Sequence, residues 1–220
     1  TTETLEREQD LFGGEEAILP PLQDNIKCFN SLIASDFSLV AEDLVRVRAG
    51  DWPVQFPAIM KAGGFDAVVG NPPYVRIQTM LHTDSQSVAY LNQNYAAARK
   101  GNYDIYVCFV ERALSLANLR GTMGFILPHK FFNAQYGEPL RKLLAAGKHL
   151  RHVVHFGDQQ IFPGATNYVC LLFLAKGGAD ECRWMRADDL PAWLATPRSP
   201  EAHLPAARLT FLGSEYALPA

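Results

Sequence analysis

Apolar residues along this chain come in short blocks, and the spacing inside the blocks alternates between strand and helix periods. Ile26–Phe29 reads as a strand-like run followed by polar Asn30-Ser31. Residues 41–62 read as helix, turn, helix, with Trp52-Pro53 at the turn and Gly63-Gly64 closing the second helix. Phe65–Val69 is a short apolar strand with β-branched residues at its end. Residues 76–102 are polar, with a weak helical pattern around Ser87–Ala98. From Asp104, a residue type that caps helices, apolar positions cover most sides of a helix through about Leu119, and Gly121 ends it. Gly124–Leu127 is a buried strand stopped by Pro128. A further helix starts at Glu138-Pro139 and closes at Gly147. Val153–Phe156 and Tyr168–Leu174 are two more strands, joined by a loop holding Phe162-Pro163-Gly164.

Strands alternating with helices, then two strands in succession, predict an α/β fold with a mostly parallel sheet and an antiparallel edge hairpin. Three stretches follow from the same reading. Residues 1–24 form an acidic lead-in, broken at Gly13-Gly14 and stopped at Pro20-Pro21; residues 25–178 carry the sheet. Residues 179–220 turn proline-rich and read as a linker or the start of another domain.

Composition narrows the class. The chain has 220 residues, 48% of them hydrophobic and 20% charged, which is ordinary for a globular protein. No apolar run is long enough for a membrane span, and Thr1-Thr2-Glu3-Thr4 does not open a signal peptide. Cys28, Cys108, Cys170 and Cys182 form no CxxC pair, and Cys108 and Cys170 lie in apolar runs. They read as buried free thiols of a reducing cytoplasm. The net charge of -3 lacks the basic footprint of a free-standing nucleic-acid binder. The charge is uneven, however. Residues 1–24 hold seven acids and one base, whereas 99–152 hold nine Lys or Arg against Asp104, Glu111 and Glu138. That middle stretch suits either phosphate or a plain solvated surface. His152 and His155, three apart on a strand, face opposite sides, so no metal site is expected. Trp52, Trp184 and Trp193 read as packing residues.

Asn71-Pro72-Pro73-Tyr74 leaves the strand Phe65–Val69 at its carboxyl end, where ligands bind in open α/β sheets. The alternative is a rigid turn with Asn71 bonded to its own backbone. The residue types suit work on a conjugated amine. The lone pair of an exocyclic adenine NH2 is delocalised into the ring. Two acceptors taking both N–H bonds would draw the nitrogen toward tetrahedral geometry. The side-chain oxygen of Asn71 and the backbone carbonyl of Pro72 are candidates, the latter aimed by prolines that lock φ. Tyr74 offers a face on which an extruded base stacks.

This tetrapeptide resembles that of the amino-methylating DNA methyltransferases, Asn/Asp/Ser-Pro-Pro-Tyr/Phe. More narrowly, the chain resembles adenine-N6 methylases of restriction-modification systems, including single-chain enzymes that fuse methylase and nuclease, and the phage-exclusion methylases. The likeness runs from about Asn25 to Gly177. It includes Ile26-Lys27-Cys28-Phe29-Asn30-Ser31-Leu32-Ile33, Lys100-Gly101-Asn102-Tyr103-Asp104-Ile105-Tyr106, Gly124-Phe125-Ile126-Leu127-Pro128, and Phe156-Gly157 through Ile161-Phe162.

The resemblance implies part of a Rossmann-like sheet that uses S-adenosyl-L-methionine (AdoMet) and acts on double-stranded DNA with a flipped adenine. It makes Asn71, Pro72 and Tyr74 catalytic, Asn30 and Asn71 cofactor contacts, and Phe162 a second contact to the base beside Tyr74. A recognition domain and a nuclease in the same parent chain are further expectations. Two features depart from the pattern. Phe29 stands where the family usually has glycine. The Gly-rich AdoMet loop and the ribose-binding acid expected before Asn25 are missing, since Gly13-Gly14 is not such a loop. A fragment of a longer enzyme, inactive alone, is therefore the expectation.

Methylation of a protein glutamine amide or an RNA amine would use the same tetrapeptide, and a noncatalytic remnant would lack the cofactor loop. The long segment from Val75 to Asn102 and the Phe162 loop favour DNA. Asn71, rather than the Ser frequent in cytosine-N4 enzymes, favours adenine.

Overall fold

The computed structural model describes residues 22, 24–162, 164, 167–187 and 189–195, and the backbone of the strands at 202–205, 210–212 and 215–217. The acidic lead-in lies outside the described residues except for Leu22 and Asp24.

Short helices α1 (Ala41–Val47), α2 (Trp52–Gln55) and α3 (Pro57–Lys61) lead to strand β1 (Phe65–Gly70). Then come α4 (Ile77–Thr83), α5 (Ser85–Asn94), α6 (Tyr106–Leu116) and β2 (Ala117–Pro128). Helix α7 (Glu138–Ala146), β3 (Leu150–His155), β4 (Val169–Ala175), β5 (Glu181–Arg186), α8 (Leu190–Ala195) and β6 (Ala202–Pro205) complete the main body. A separate hairpin pairs β7 (Thr210–Leu212) with β8 (Glu215–Ala217).

The main sheet has six strands in the order β1-β2-β4-β3-β5-β6. β1 runs parallel to β2, and β3 parallel to β5; β4 opposes both its neighbours, and β6 opposes β5. The mixed α/β class and the β3–β4 hairpin are as expected. The hairpin is not at an edge, however. β4 inserts between β2 and β3, and the sheet continues past Gly178 into β5. The stretch expected to be a linker or a new domain therefore begins as a strand of this sheet. Its Glu181-Cys182-Arg183-Trp184-Met185-Arg186 buries Cys182, Trp184 and Met185 and exposes Glu181, Arg183 and Arg186.

Alternation along the strands separates two apolar clusters, as a period of two requires. Leu127, Val153, Leu172 and Trp184 join the larger one, with Tyr103, Tyr106, Leu140 and Leu144 from the α6 region and α7. Their strand neighbours Ile126, Val154, Leu171 and Met185 join the smaller one, with Phe156 and Trp193. Buried Cys108 and Cys170 are free thiols, as their apolar surroundings predicted, and burial pushes both thiol pKa values up.

Four local expectations are corrected. Ile26–Phe29 is not a strand: it pairs with no described strand, and Ile26 is exposed. Trp52-Pro53 opens α2 with proline in its first turn rather than marking a turn. Helix α6 stops at Leu116, and β2 begins at once. The pairing of β1 with β2 jumps from Phe65–Ala117 to Ala67–Thr122, so Asn118–Gly121 bulges out. Gly121 belongs to that bulge, where an added Cβ would come within 2.7 Å of the Phe65 carbonyl oxygen. Finally, Asp104 caps no helix. Its backbone bridges to Arg76 instead, tying the exit of the tetrapeptide to the start of α6.

Candidate functional site

The Asn71-Pro72-Pro73-Tyr74 turn follows β1 directly, at the carboxyl end of the strand, as the chain pattern placed it. β1 forms one margin of the sheet, and its Val69 is 86% exposed. Asn71 and Pro73 are exposed, Pro72 is buried and Tyr74 is half-buried. Among the described residues no backbone N–H bonds to the Pro72 carbonyl. The Tyr74 hydroxyl lies 2.7 Å from Asn71 Oδ1 and 3.1 Å from the Ile126 carbonyl oxygen. Burial, and to a lesser extent the neighbouring Cys170, push the phenol pKa up to about 12. Tyr74 is therefore neutral throughout the physiological range.

Asn30 sits in a turn that other elements clamp. Its Oδ1 accepts from the Leu32 and Ile33 amides at 3.0 and 3.2 Å, and its Nδ2 donates to the Val47 carbonyl at 3.2 Å. The Leu32 carbonyl accepts from the Tyr95 hydroxyl and from Arg112. This brings the turn beside the tetrapeptide. Ser31, Trp52, Asn71, Pro72, Arg112 and Phe125 share a cavity of about 280 Å³. Phe29 lies outside that lining and packs its ring edge-on to Trp52, with Gly50 leaving room for it.

A larger cavity of about 820 Å³ opens on the Tyr74 side of the turn. Every strand from β2 to β5 contributes to it at the same end of the sheet. His129 and Lys130 follow β2, His155 ends β3 with Gly157 and Asp158 beyond, and Arg186 ends β5. Tyr168 precedes β4, which runs the opposite way. Arg76 and Asp104 enter from the tetrapeptide's exit. Burial raises the Asp104 pKa, opposed by Arg76 and Lys130. His129 stacks on His155 with ring centroids 4.2 Å apart, and burial lowers the His129 pKa. His155 Nδ1 accepts from the Gly157 amide at 3.0 Å.

Of the residues singled out in the sequence, Asn71, Pro72 and Tyr74 are together, with the Asn30 turn beside them. Phe162 is not in that group. It is 36% exposed and lines neither cavity, although its neighbour Ile161 packs in the smaller apolar cluster. His152 and His155 do face apart: His152 stacks on Phe173 and His155 on His129. His129, Tyr168 and Arg186 were not anticipated. The carboxyl-end rule that found Asn71 would have found His129 if applied to the strand ending at Pro128, but not Arg186, whose strand carries no clear signal in the sequence.

A β1-β2-β4-β3 sheet bearing this tetrapeptide at the carboxyl end of β1, between two cavities, has the form of an α/β methyltransferase. A model of the Eco57I restriction-modification methylase family matches residues 19–162. The chain belongs to that family. It is 34% identical over 194 residues to the type II restriction enzyme and methyltransferase RM.Eco57I of Escherichia coli, covering 88% of this chain and 18% of that enzyme. It is 38% identical over 125 residues to the type II methyltransferase M.PaeR7I of Pseudomonas aeruginosa, covering 55% of this chain and 21% of the other. The chain thus spans about a fifth of the length of these relatives. Two solved structures share the fold. The DrdV–DNA complex gives a TM-score of 0.55 at 14% identity, over 75% of this chain and 19% of that one. The type I restriction-modification methyltransferase subunit of Streptococcus thermophilus gives 0.50 at 16% identity, over 72% and 37%. Among the described residues no helix is long and apolar enough to cross a membrane.

Proposed function

We propose that this chain is the substrate-handling part of an enzyme that methylates adenine N6 at specific sites in double-stranded DNA, within a restriction-modification or phage-defence system. The observation that carries this reading is the pair of acceptors at the end of β1. The exposed Asn71 carboxamide and the Pro72 carbonyl, which has no backbone donor among the described residues, belong to adjacent residues that line one cavity, and Tyr74 lines the larger cavity. Asn71 Oδ1 and the Pro72 carbonyl each accept one N–H of the target amine, which frees the nitrogen lone pair and aims it. The base stacks on Tyr74, an interaction worth roughly 1–3 kcal/mol. An adenine inside a duplex cannot reach this turn, so it must flip out. At about 820 Å³, the cavity has room for more than a base, and Arg76, Lys130 and Arg186 line it as candidate phosphate contacts. Phe162, on the loop between β3 and β4, is the candidate second contact to the base.

AdoMet is the proposed cofactor, supplying an electrophilic methyl group. The described residues form one wall of a site for it and do not enclose it. The Asn30 side chain is committed to backbone partners, and the cavity beside Asn71 is below the roughly 300–1,000 Å³ of typical ligand pockets. A recognition domain, and a nuclease as in the fused E. coli relative, are proposed for the remainder of the full-length protein. The cytoplasm is the proposed location.

Flipping is tested with 2-aminopurine at the target position of a duplex carrying the recognition site. The full-length protein should raise its fluorescence several-fold, and Tyr74→Ala should remove most of that rise together with turnover. A full rise with Tyr74→Ala would take the base away from Tyr74.

A further inference from the structure

The Tyr74 hydroxyl faces two oxygens, Asn71 Oδ1 at 2.7 Å and the Ile126 carbonyl at 3.1 Å. A phenol has one proton, so it donates to only one of them at a time. The β1–β2 ladder ends at the Gly70–Phe125 pair, so Ile126, next along β2, has no β1 residue opposite it. Tyr74 takes that place. A part-buried carbonyl that its own ladder leaves without a donor is costly, which assigns the phenol proton to Ile126. The phenol oxygen then presents lone pairs to Asn71.

A carboxamide has an acceptor end and a donor end, and a half-turn about Cβ–Cγ exchanges them. With Oδ1 toward Tyr74, two oxygens compete for one proton. With Nδ2 toward Tyr74, every group is satisfied: Nδ2–H donates to the phenol oxygen, and the phenol donates to Ile126. Oδ1 then points the other way, with its lone pairs unused.

We infer that Tyr74 is a positioning residue whose hydroxyl, anchored on the Ile126 carbonyl, selects the Asn71 orientation that leaves Oδ1 free to accept from an incoming amine. The amine's identity rests on the proposed function; the orientation does not. This role is separate from stacking, which uses the ring alone. It also explains why an asparagine at position 71 benefits from a hydroxyl three residues on, whereas an aspartate, with two equivalent oxygens, would not.

In the full-length protein, Tyr74→Phe should lower kcat about 3- to 10-fold, the scale of one lost hydrogen bond. KM for DNA should stay within twofold and the 2-aminopurine rise should persist. In the Asn71→Asp background the same change should cost less than twofold, because a carboxylate has no donor end to orient. Equal costs in both backgrounds, or no cost in the first, would overturn the inference.

A second readout does not depend on methylation. With asparagine side chains labelled with 15N, the Asn71 amide pair is identified by its loss in Asn71→Asp. One of its protons should be shifted downfield and exchange slowly, and Tyr74→Phe should abolish both effects. Asn71 signals indifferent to Tyr74→Phe would overturn the inference even in an active adenine methylase. A shifted, Tyr74-dependent signal in a protein that methylates no DNA would sink the functional reading and leave the positioning role standing.

Discussion

Asn71→Ala in the full-length protein should slow methyl transfer by at least about 100-fold, with DNA and AdoMet affinities within a few-fold of wild type. The carboxamide is exposed at the end of β1, so its loss leaves no cavity in either apolar cluster. Tyr74 would keep its bond to the Ile126 carbonyl, and the base could still stack. The missing element is one of two acceptors that act as charge develops on the amine nitrogen. Removing one preorganised polar group of that kind from an active site typically costs 10²–10³ in rate. Single-turnover kinetics with saturating DNA isolate that step. A variant transferring methyl at near-wild-type rate would remove Asn71 from the mechanism.

The 220 residues alone should bind AdoMet with a Kd no tighter than about 1 mM. The open wall beside Asn71 is the reason. Ser31, Trp52 and Pro72 line a cavity of about 280 Å³, and Asn30 has its oxygen and one N–H already engaged. The sequence before Asn25 contains no Gly-x-Gly run. Losing several hydrogen bonds at roughly 0.5–1.5 kcal/mol each, more where charge is involved, would weaken binding by roughly ten- to a thousandfold or more. β1, with Val69 almost bare, is a strand edge open to pairing, so some self-association should accompany the weak binding. Isothermal titration of this chain beside the full-length protein makes the comparison. Micromolar binding by the 220 residues would mean that the cofactor site is complete within them.

The parts of the fold legible in the sequence were those with strong local signals. β1, β3, β4 and α7 stand out because apolar alternation, Glu138-Pro139 and Gly147 are all local. The order of strands was not legible. That β4 lies between β2 and β3 depends on pairing across more than forty residues (Gly124 with Phe173). β5 was missed because its exposed positions hold Glu181, Arg183 and Arg186, and its burial comes from pairing with β3. The bulge at Asn118–Gly121 imitated a helix end, since a glycine after an apolar helix usually marks one. At the site, the tetrapeptide was legible because proline and asparagine fix its geometry locally. The cavity wall of His129, His155, Tyr168 and Arg186 was not, because it is assembled from the ends of four strands. Nor was the bond between the Tyr74 hydroxyl and the Ile126 carbonyl, which joins residues 52 positions apart.

Nucleoside mass spectrometry of DNA treated with the full-length protein and methyl-labelled AdoMet tests the central claim most directly. The expected product is N6-methyladenine at one recurrent sequence, absent from the Asn71→Ala reaction. Label on cytosine N4, on RNA or on a protein glutamine, with none on adenine, would contradict it.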